Sequence, residues 1–307
     1  MNKIAYVFPG QGSQYVGMGR DLYEKYPAAR KVFALADQTL DFDLSGLIFN
    51  GPEEELTLTV NAQPALLTVS MACLAAMGEV YGDRLPAPAY MAGHSLGEYS
   101  ALCAADAMEF TTAVSLARRR GQLMYDAVLK QPGTMAAVIA MDQETLQTVC
   151  DETGAYIANL NCPGQIAISG TPESVKAARK LAKERGAKLV IPLQVSGAFH
   201  SPLITSAAEG LKPEIQKARI CNPKIPVIGN VNAQVMDCAE AVRAELTDQV
   251  CRCVQWERTI RFLLAQGVDT FVEIGPGKVL TGLLARIEPS AKAVNVGSVE
   301  EVTALLK

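Results

Sequence analysis

A serine set between two glycines constrains the fold of this chain more than any other feature. Gly93, Ser95 and Gly97 fit G-x-S-x-G, the nucleophile elbow, in which a sharp turn between a strand and a helix raises the serine hydroxyl into a cleft. A short apolar strand is predicted at 88–92 and a helix at 98–105. Chance places such a pentapeptide in roughly one chain of this length in ten. The motif alone is therefore not sufficient to assign catalysis. A base, an oxyanion hole and a substrate contact must also be found elsewhere in the chain.

Composition predicts a globular protein of the reducing cytoplasm. Of the 307 residues, 49% are hydrophobic and 20% are charged, and the formal net charge is −4. An acidic chain argues against nucleic-acid binding, which needs a strongly basic face. The longest apolar run, 65–77, is too short to cross a bilayer, and no stretch resembles an export signal. The eight dispersed cysteines are expected to be free thiols.

Alternating strands and helices predict an α/β fold, with a large hydrolase-like domain whose mostly parallel sheet is covered by helices on both faces. The segment 131–195 departs from this alternation. Its predicted order, βαββαβ, is that of the ferredoxin-like unit. We therefore expect a small ferredoxin-like domain inserted into a large catalytic domain formed by 1–130 and 196–307.

A glycine-rich loop at 9–14 follows the first predicted strand, 4–8. Such a loop can turn backbone N–H groups toward a ligand, or it can be an ordinary turn. The presence of the elbow favours an oxyanion-hole donor, because hydrolase-type folds take one donor from an early loop between a strand and a helix. Both the loop and Ser95 would then lie beyond the carboxyl ends of parallel strands, where ligands of such sheets bind.

Helices are predicted over 21–40, 65–78 and 111–124, and the last of these carries three consecutive arginines, Arg118, Arg119 and Arg120. Neighbouring residues on a helix point in different directions. One arginine is therefore free to point inward while the others are solvated.

The base must be one of two histidines, because a serine hydroxyl needs a neighbour to remove its proton. His94 adjoins Ser95 on a tight turn where adjacent side chains diverge. His200, in a loop bounded by Gly197 and Pro202, is therefore the predicted base. No aspartate stands out as its partner, so a neutral acceptor is an alternative to a carboxylate.

Several motifs together resemble the malonyl-CoA:acyl-carrier-protein transacylases over essentially the whole chain. In order they are 10–14 (GQGSQ), 93–97 (GHSLG), Arg120-Gly121, 159–165 (NLNCPGQ), 197–201 (GAFHS), Gln249 and 273–277 (EIGPG).

The resemblance implies a role for each matching residue. Ser95 would be the acylated nucleophile, His200 its base and acid, and Gln249 would orient His200 through its main-chain carbonyl. The N–H groups of Gln11 and Leu96 would form the oxyanion hole. The substrate-binding residues would be Arg120 on the malonyl carboxylate, His94 and Asn161 at the edge of the cleft, and Phe199, whose ring would crowd an α-methyl group.

The implied reaction transfers malonyl groups from malonyl-CoA to the phosphopantetheine thiol of acyl carrier protein by a ping-pong mechanism, for fatty-acid chain extension. It requires no metal or other cofactor, and we expect a monomer. Two alternatives remain. An α/β-hydrolase-type esterase or thioesterase would use the same elbow but deliver water, although such enzymes place the histidine near the C-terminus. A non-catalytic scaffold that binds carrier protein is the other.

Overall fold

The computed structural model describes residues 3–195 and 197–305. Its strands are β1 (Ile4–Phe8), β2 (Tyr90–Gly93), β3 (Thr134–Ile139), β4 (Tyr156–Cys162), β5 (Gln165–Gly170), β6 (Leu189–Pro192), β7 (Val227–Ile228), β8 (Val235–Met236), β9 (Thr270–Ile274) and β10 (Lys292–Val296). Its helices are α1 (Arg20–Lys25), α2 (Pro27–Leu40), α3 (Leu44–Asn50), α4 (Glu53–Thr57), α5 (Thr59–Tyr81), α6 (Gly97–Ala104), α7 (Phe110–Lys130), α8 (Gln143–Thr153), α9 (Pro172–Glu184), α10 (Thr205–Lys217), α11 (Ala239–Asp248), α12 (Trp256–Ala265), α13 (Val279–Ile287) and α14 (Val299–Ala304).

A six-stranded sheet with the order β10-β9-β1-β2-β7-β8 forms the centre of the fold. All neighbouring strands are parallel except β7 and β8. Along β1, Tyr6 and Phe8 pack into the core on one face of the sheet, while Ala5 and Val7 pack into the core on the other. The predicted mostly parallel α/β sheet, covered on both faces, is therefore confirmed.

A four-stranded antiparallel sheet with the order β4-β5-β3-β6 lies apart from the first. Its own core includes Leu146 of α8 and Val175 of α9. The edge strand β4 also meets the segment after α11, where Leu160 N–H donates to the Val254 carbonyl and Val254 N–H donates to the Ala158 carbonyl, both at 2.9 Å. Ser196, the predicted domain boundary, is outside the described residues.

The predicted helix at 21–40 is two helices, α1 and α2. The residue before a proline is disfavoured in the helical conformation, and Tyr26, which precedes Pro27, is extended with φ −109° and ψ 115°. Pro27 then begins α2, where its missing N–H removes no hydrogen bond.

The helix α5 begins six residues earlier than predicted and includes Pro64. A proline within a helix leaves the carbonyl four residues before it without its usual donor. That carbonyl belongs to Val60, and Arg118 Nη1 donates to it at 2.9 Å. By length and composition the helical stretch Thr59–Arg84 could span a membrane, but 61% of its most apolar window is buried inside the protein. It is packed as a core helix.

Close backbone contacts hold the turn between β2 and α6. An ideal Cβ built on Gly93 would overlap the Gly97 carbonyl, and one built on Gly97 would overlap the Phe8 carbonyl of β1. Glycine is therefore required at both positions, as the sequence predicted.

We predict that Gly97→Ala lowers the free energy of unfolding by about 1–3 kcal/mol or more, because the added methyl group must displace the β1 backbone. Gly282→Ala is the matched control: Gly282 lies within α13 with no atom within 4 Å of an added Cβ, and this change should stabilise by about 0.5–1 kcal/mol. Urea denaturation followed by circular dichroism measures both. Equal midpoints for Gly97→Ala and the wild type would contradict the prediction.

Candidate active site

The Ser95 hydroxyl faces His200 across the turn between β2 and α6. Ser95 has a left-handed backbone with φ +51°, which is uncommon outside glycine. Its Oγ lies 2.7 Å from Nε2 of His200, although the two residues are 105 positions apart. The predicted nucleophile and the predicted base are thus within hydrogen-bond distance.

Main-chain carbonyls fix the tautomer of His200. The carbonyl oxygen of Gln249 lies 2.9 Å from Nδ1 of His200, and that of Arg252 lies 3.2 Å from the same atom. A carbonyl only accepts hydrogen bonds, so Nδ1 carries the proton and Nε2 is left to accept the proton of Ser95. The acceptors are neutral, which was one of the two alternatives that the sequence left open.

The imidazole of His200 is strongly biased toward its neutral form. His200 is only 5% exposed. Burial, and after it the positive charge of Arg120, lower the pKa of His200 to about 3. The ring is therefore neutral and able to accept a proton at any pH near neutrality.

The guanidinium of Arg120 is buried beside the same hydroxyl. The residue is 1% exposed, and its Nη2 donates to Ser95 Oγ at 3.1 Å and to Gln249 Oε1 at 2.8 Å. Its neighbours differ, as expected for three consecutive arginines: Arg119 is largely exposed and Arg118 is half-buried. Arg120 is the one that points inward.

The N–H groups of Gln11 and Leu96 are available to a ligand. Neither has a hydrogen-bond partner within residues 3–195 and 197–305. Eight of the nine predicted site residues line one cavity of about 250 Å³, namely Gln11, His94, Ser95, Leu96, Arg120, Asn161, Phe199 and His200. The ninth, Gln249, is buried behind it and also donates through Nε2 to the Ser95 carbonyl at 2.7 Å.

The remaining predicted residues form one wall of this cavity. His94 Nε2 lies 2.9 Å from Asn161 Oδ1, and the His94 ring packs on Trp256 with a centroid distance of 5.6 Å. Burial lowers the pKa of His94, so its ring is also neutral and supports the wall without a charge. Phe199, 7% exposed, precedes the base. Across the described residues, no three His, Cys, Asp or Glu side chains form a metal-binding group.

Asn230, which the sequence analysis did not select, binds both flanks of the nucleophile. Ser95 N–H donates to Asn230 Oδ1 and Asn230 Nδ2 donates to the Gly93 carbonyl, each at 2.7 Å. Asn230 lies two residues beyond the carboxyl end of β7, next to β2 in the sheet. A polar residue just past a parallel strand was the available signal.

A buried acid lies beneath the turn. Glu98, in the first turn of α6, is fully buried, and its Oε2 accepts the Asn230 N–H at 2.8 Å. Burial raises the pKa of Glu98 well above its usual range, and the nearby carboxyl group of Glu245 raises it further. Burial thus disfavours the charged carboxylate form of Glu98, the form that would attract the guanidinium of Arg120.

Comparison with known proteins identifies the family. The acyl transferase domain family matches residues 5–305. The chain is 50% identical to the malonyl CoA-acyl carrier protein transacylase of Bacillus subtilis (strain 168), over 98% of this chain and 96% of that protein. The chain belongs to the acyl transferase family. The resemblance to malonyl-CoA:acyl-carrier-protein transacylases is thus confirmed.

Solved structures of acyltransferases agree with this assignment. The acyl-carrier-protein-S-malonyltransferase from Bartonella henselae matches with a TM-score of 0.96 and 43% identity, over 99% of this acyltransferase and 98% of that chain. A malonyl-transacylase in complex with its type II PKS acyl-carrier protein matches with a TM-score of 0.94 and 40% identity, over 99% of both chains. The fold of this acyltransferase is therefore that of its enzyme relatives.

We predict that Ser95 reacts with a fluorophosphonate probe at a nearly constant rate from pH 8 down to about pH 5, because His200 stays neutral over that range. Arg120→Leu removes the charge that opposes the imidazolium, so the acidic fall in rate should begin at higher pH. Arg119→Leu, at the exposed neighbour, should leave the profile unchanged. A wild-type rate that halves near pH 6.5, the pKa of an ordinary histidine, would disprove this account.

Proposed function

We propose that this acyltransferase moves malonyl groups from malonyl-CoA to the phosphopantetheine thiol of acyl carrier protein, through a malonyl ester on Ser95, to supply fatty-acid chain extension. The observation that carries the proposal is the convergence of three groups on one cavity. Ser95 Oγ lies 2.7 Å from His200 Nε2 and 3.1 Å from Arg120 Nη2. These are a nucleophile, a base and a cation suited to a free carboxylate.

In the first half-reaction, Ser95 Oγ attacks the thioester carbonyl carbon while His200 Nε2 takes the hydroxyl proton. The developing oxyanion would accept hydrogen bonds from the N–H groups of Gln11 and Leu96, and each such donor is worth about 10²–10³ in rate. The C–S bond then breaks, and the coenzyme A thiolate receives from His200 the proton that came from Ser95. The products are malonyl-Ser95 and free coenzyme A.

The second half-reaction reverses these steps with the carrier thiol as nucleophile. A further cavity of about 430 Å³ shares Gln11, Val195 and Phe199 with the cavity around Ser95. It offers a route by which the narrow pantetheine arm of coenzyme A or of acyl carrier protein reaches Ser95. All proton transfers use His200, so the reaction needs no metal or other cofactor.

Arg120 explains the preference for a dicarboxylic acyl group. Its planar guanidinium can hold a carboxylate with two hydrogen bonds. An acetyl group would leave this buried charge unpaired, so acetyl-CoA should be strongly rejected. The ring of Phe199 beside the base would crowd an α-methyl group, which typically costs only about 10–200-fold. Methylmalonyl-CoA should therefore be rejected more weakly.

We also infer that 131–195 is a ferredoxin-like domain inserted into a hydrolase-like domain formed by 1–130 and 196–307. In chain order within the segment, the strands of the small sheet run second, third, first, fourth, and α8 and α9 share its core. These features are those of the ferredoxin-like unit. The segment contributes Asn161 to the cavity, so the cleft would lie between the two domains. We further propose that the enzyme is monomeric.

Intact-mass measurement after addition of malonyl-CoA, and then of holo carrier protein, tests the function. We expect a malonyl adduct that is absent in Ser95→Ala and that moves to the carrier. Ser100→Ala, at another buried serine of α6, is the matched control and should still form the adduct. Release of free malonate without transfer would indicate a hydrolase, and the absence of any adduct would indicate a scaffold.

We predict that Arg120→Ala slows malonyl transfer to Ser95 by about 10²–10⁴-fold, because a buried carboxylate without its partner costs about 3–5 kcal/mol. The rate with acetyl-CoA should change by less than about tenfold. Arg119→Ala, whose parent side chain is 46% exposed, serves as the control. Initial acylation rates measure both substrates, and an Arg120→Ala enzyme that keeps its malonyl preference would refute the assigned role.

A further inference from the structure

A series of buried and partly buried hydrogen bonds joins the guanidinium of Arg120 to the side chain of Gln11. Arg120 Nη1 donates to Gln63 Oε1 at 2.6 Å, and Gln63 Nε2 donates to Thr59 Oγ1 at 2.8 Å. The Thr59 hydroxyl donates to Gln11 Oε1 at 3.0 Å. Gln63 is fully buried and Thr59 is 6% exposed. We call these three hydrogen bonds the Arg120–Gln11 chain.

The donors of the Arg120–Gln11 chain all point the same way. A guanidinium has no acceptor, so Gln63 must turn its oxygen toward Arg120 and its amide nitrogen toward Thr59. The Thr59 hydroxyl accepts from Gln63, and its own proton is left for Gln11. Hydrogen bonds that run in one direction polarise and strengthen one another. The three bonds therefore connect the guanidinium of Arg120 to the side-chain oxygen of Gln11.

Close helix packing brings the members of the chain together. Thr59 and Gln63 lie one turn apart in α5, while Arg120 lies in α7. The next residue, Gly121, passes so near to α5 that an added Cβ would lie 2.6 Å from the Thr59 carbonyl oxygen. Only glycine allows the two helices to approach this closely. The sequence pair Arg120-Gly121 thus has a structural reason.

The same contacts leave one terminal N–H group of Arg120 without an acceptor among the described residues and a second one on Ser95 Oγ. Nη2 uses one hydrogen on Gln249 and directs the other at Ser95 Oγ, while Nη1 uses one hydrogen on Gln63. Each terminal nitrogen carries two hydrogens. One hydrogen of Nη1 therefore remains for a carboxylate near Ser95, and the Nη2 hydrogen on Ser95 Oγ can be shared with the same carboxylate.

We propose that Gln63 and Thr59 are positioning residues that couple recognition of the acyl carboxylate at Arg120 to the aim of the Gln11 N–H in the oxyanion hole. This inference rests on the proposed function. A carboxylate on Arg120 fixes the guanidinium and, through Gln63 and Thr59, the loop that carries Gln11. An acetyl group adds no such contact, so the guanidinium is then held by its protein partners alone. Selection of malonyl groups then appears in the rate of acylation as well as in binding.

The test is Thr59→Val, which removes the hydroxyl at nearly constant shape. Single-turnover acylation with malonyl-CoA and with acetyl-CoA, followed by intact mass over a range of concentrations, separates rate from binding. We expect the malonyl acylation rate to fall by about 10–100-fold, less than the full loss of an oxyanion donor. The half-saturating concentration and the acetyl rate should each change by less than about threefold.

Three further variants make the result specific. Thr59→Ser keeps the hydroxyl and should restore the malonyl rate. Thr68→Val, also in α5 and buried, removes a hydroxyl that donates only to the Pro64 carbonyl at 2.8 Å, and it should match the wild type. Gln11→Met cuts the chain at its other end and keeps the backbone N–H. Its malonyl rate should fall more than its acetyl rate, which decides the matter if Thr59→Val unfolds.

Equal losses with malonyl-CoA and acetyl-CoA, or no difference between Thr59→Val and Thr68→Val, would overturn the coupling. A wild type that forms no malonyl adduct on Ser95 would overturn the proposed function instead. The two failures are therefore distinguishable in the same experiment.

Discussion

The left-handed backbone of Ser95 is the constraint on which the rest of the site depends. A residue other than glycine in this conformation costs about 1–3 kcal/mol and persists only where its surroundings hold it. Here the glycines at 93 and 97 allow the backbones to touch, and the side chain of Asn230 binds the chain on both sides of the serine. The hydroxyl is thus held in one place. His200 and Arg120 then need only converge on a single atom.

The buried cation Arg120 is held by neutral hydrogen-bond acceptors, which leave its positive charge unbalanced. The amide oxygens of Gln63 and Gln249 accept from Arg120, while burial raises the pKa of Glu98 well above its usual range and so disfavours its carboxylate form. A carboxylate from the protein would have been a stronger partner, but it would have competed with any acidic ligand. Neutral amide acceptors instead fix the guanidinium and leave its positive charge for a ligand that carries a carboxylate.

Local sequence patterns predicted those parts of the protein whose structure is set by residues adjacent in sequence. The strand, turn and helix around Ser95 could be read from a pentapeptide, and His200 followed because there are only two histidines. The orienting carbonyl of Gln249 came from family resemblance alone, since any residue has a carbonyl. Gln63 and Asn230 were missed because their roles arise from packing between distant segments, and neither residue type is distinctive by itself. The two-residue strand β8 is likewise too short to leave a pattern.

The hydrogen bonds between β4 and Val254 have a mechanical consequence. They tie the small sheet to the segment whose carbonyls, at Gln249 and Arg252, hold the imidazole of His200. The two sheets cannot separate along this edge without breaking backbone pairing. Any widening of the cleft to admit a large carrier would therefore have to occur at the margin opposite this edge. The carbonyls that orient the proton-accepting ring of His200 therefore share a segment with the backbone pairing that holds the small sheet.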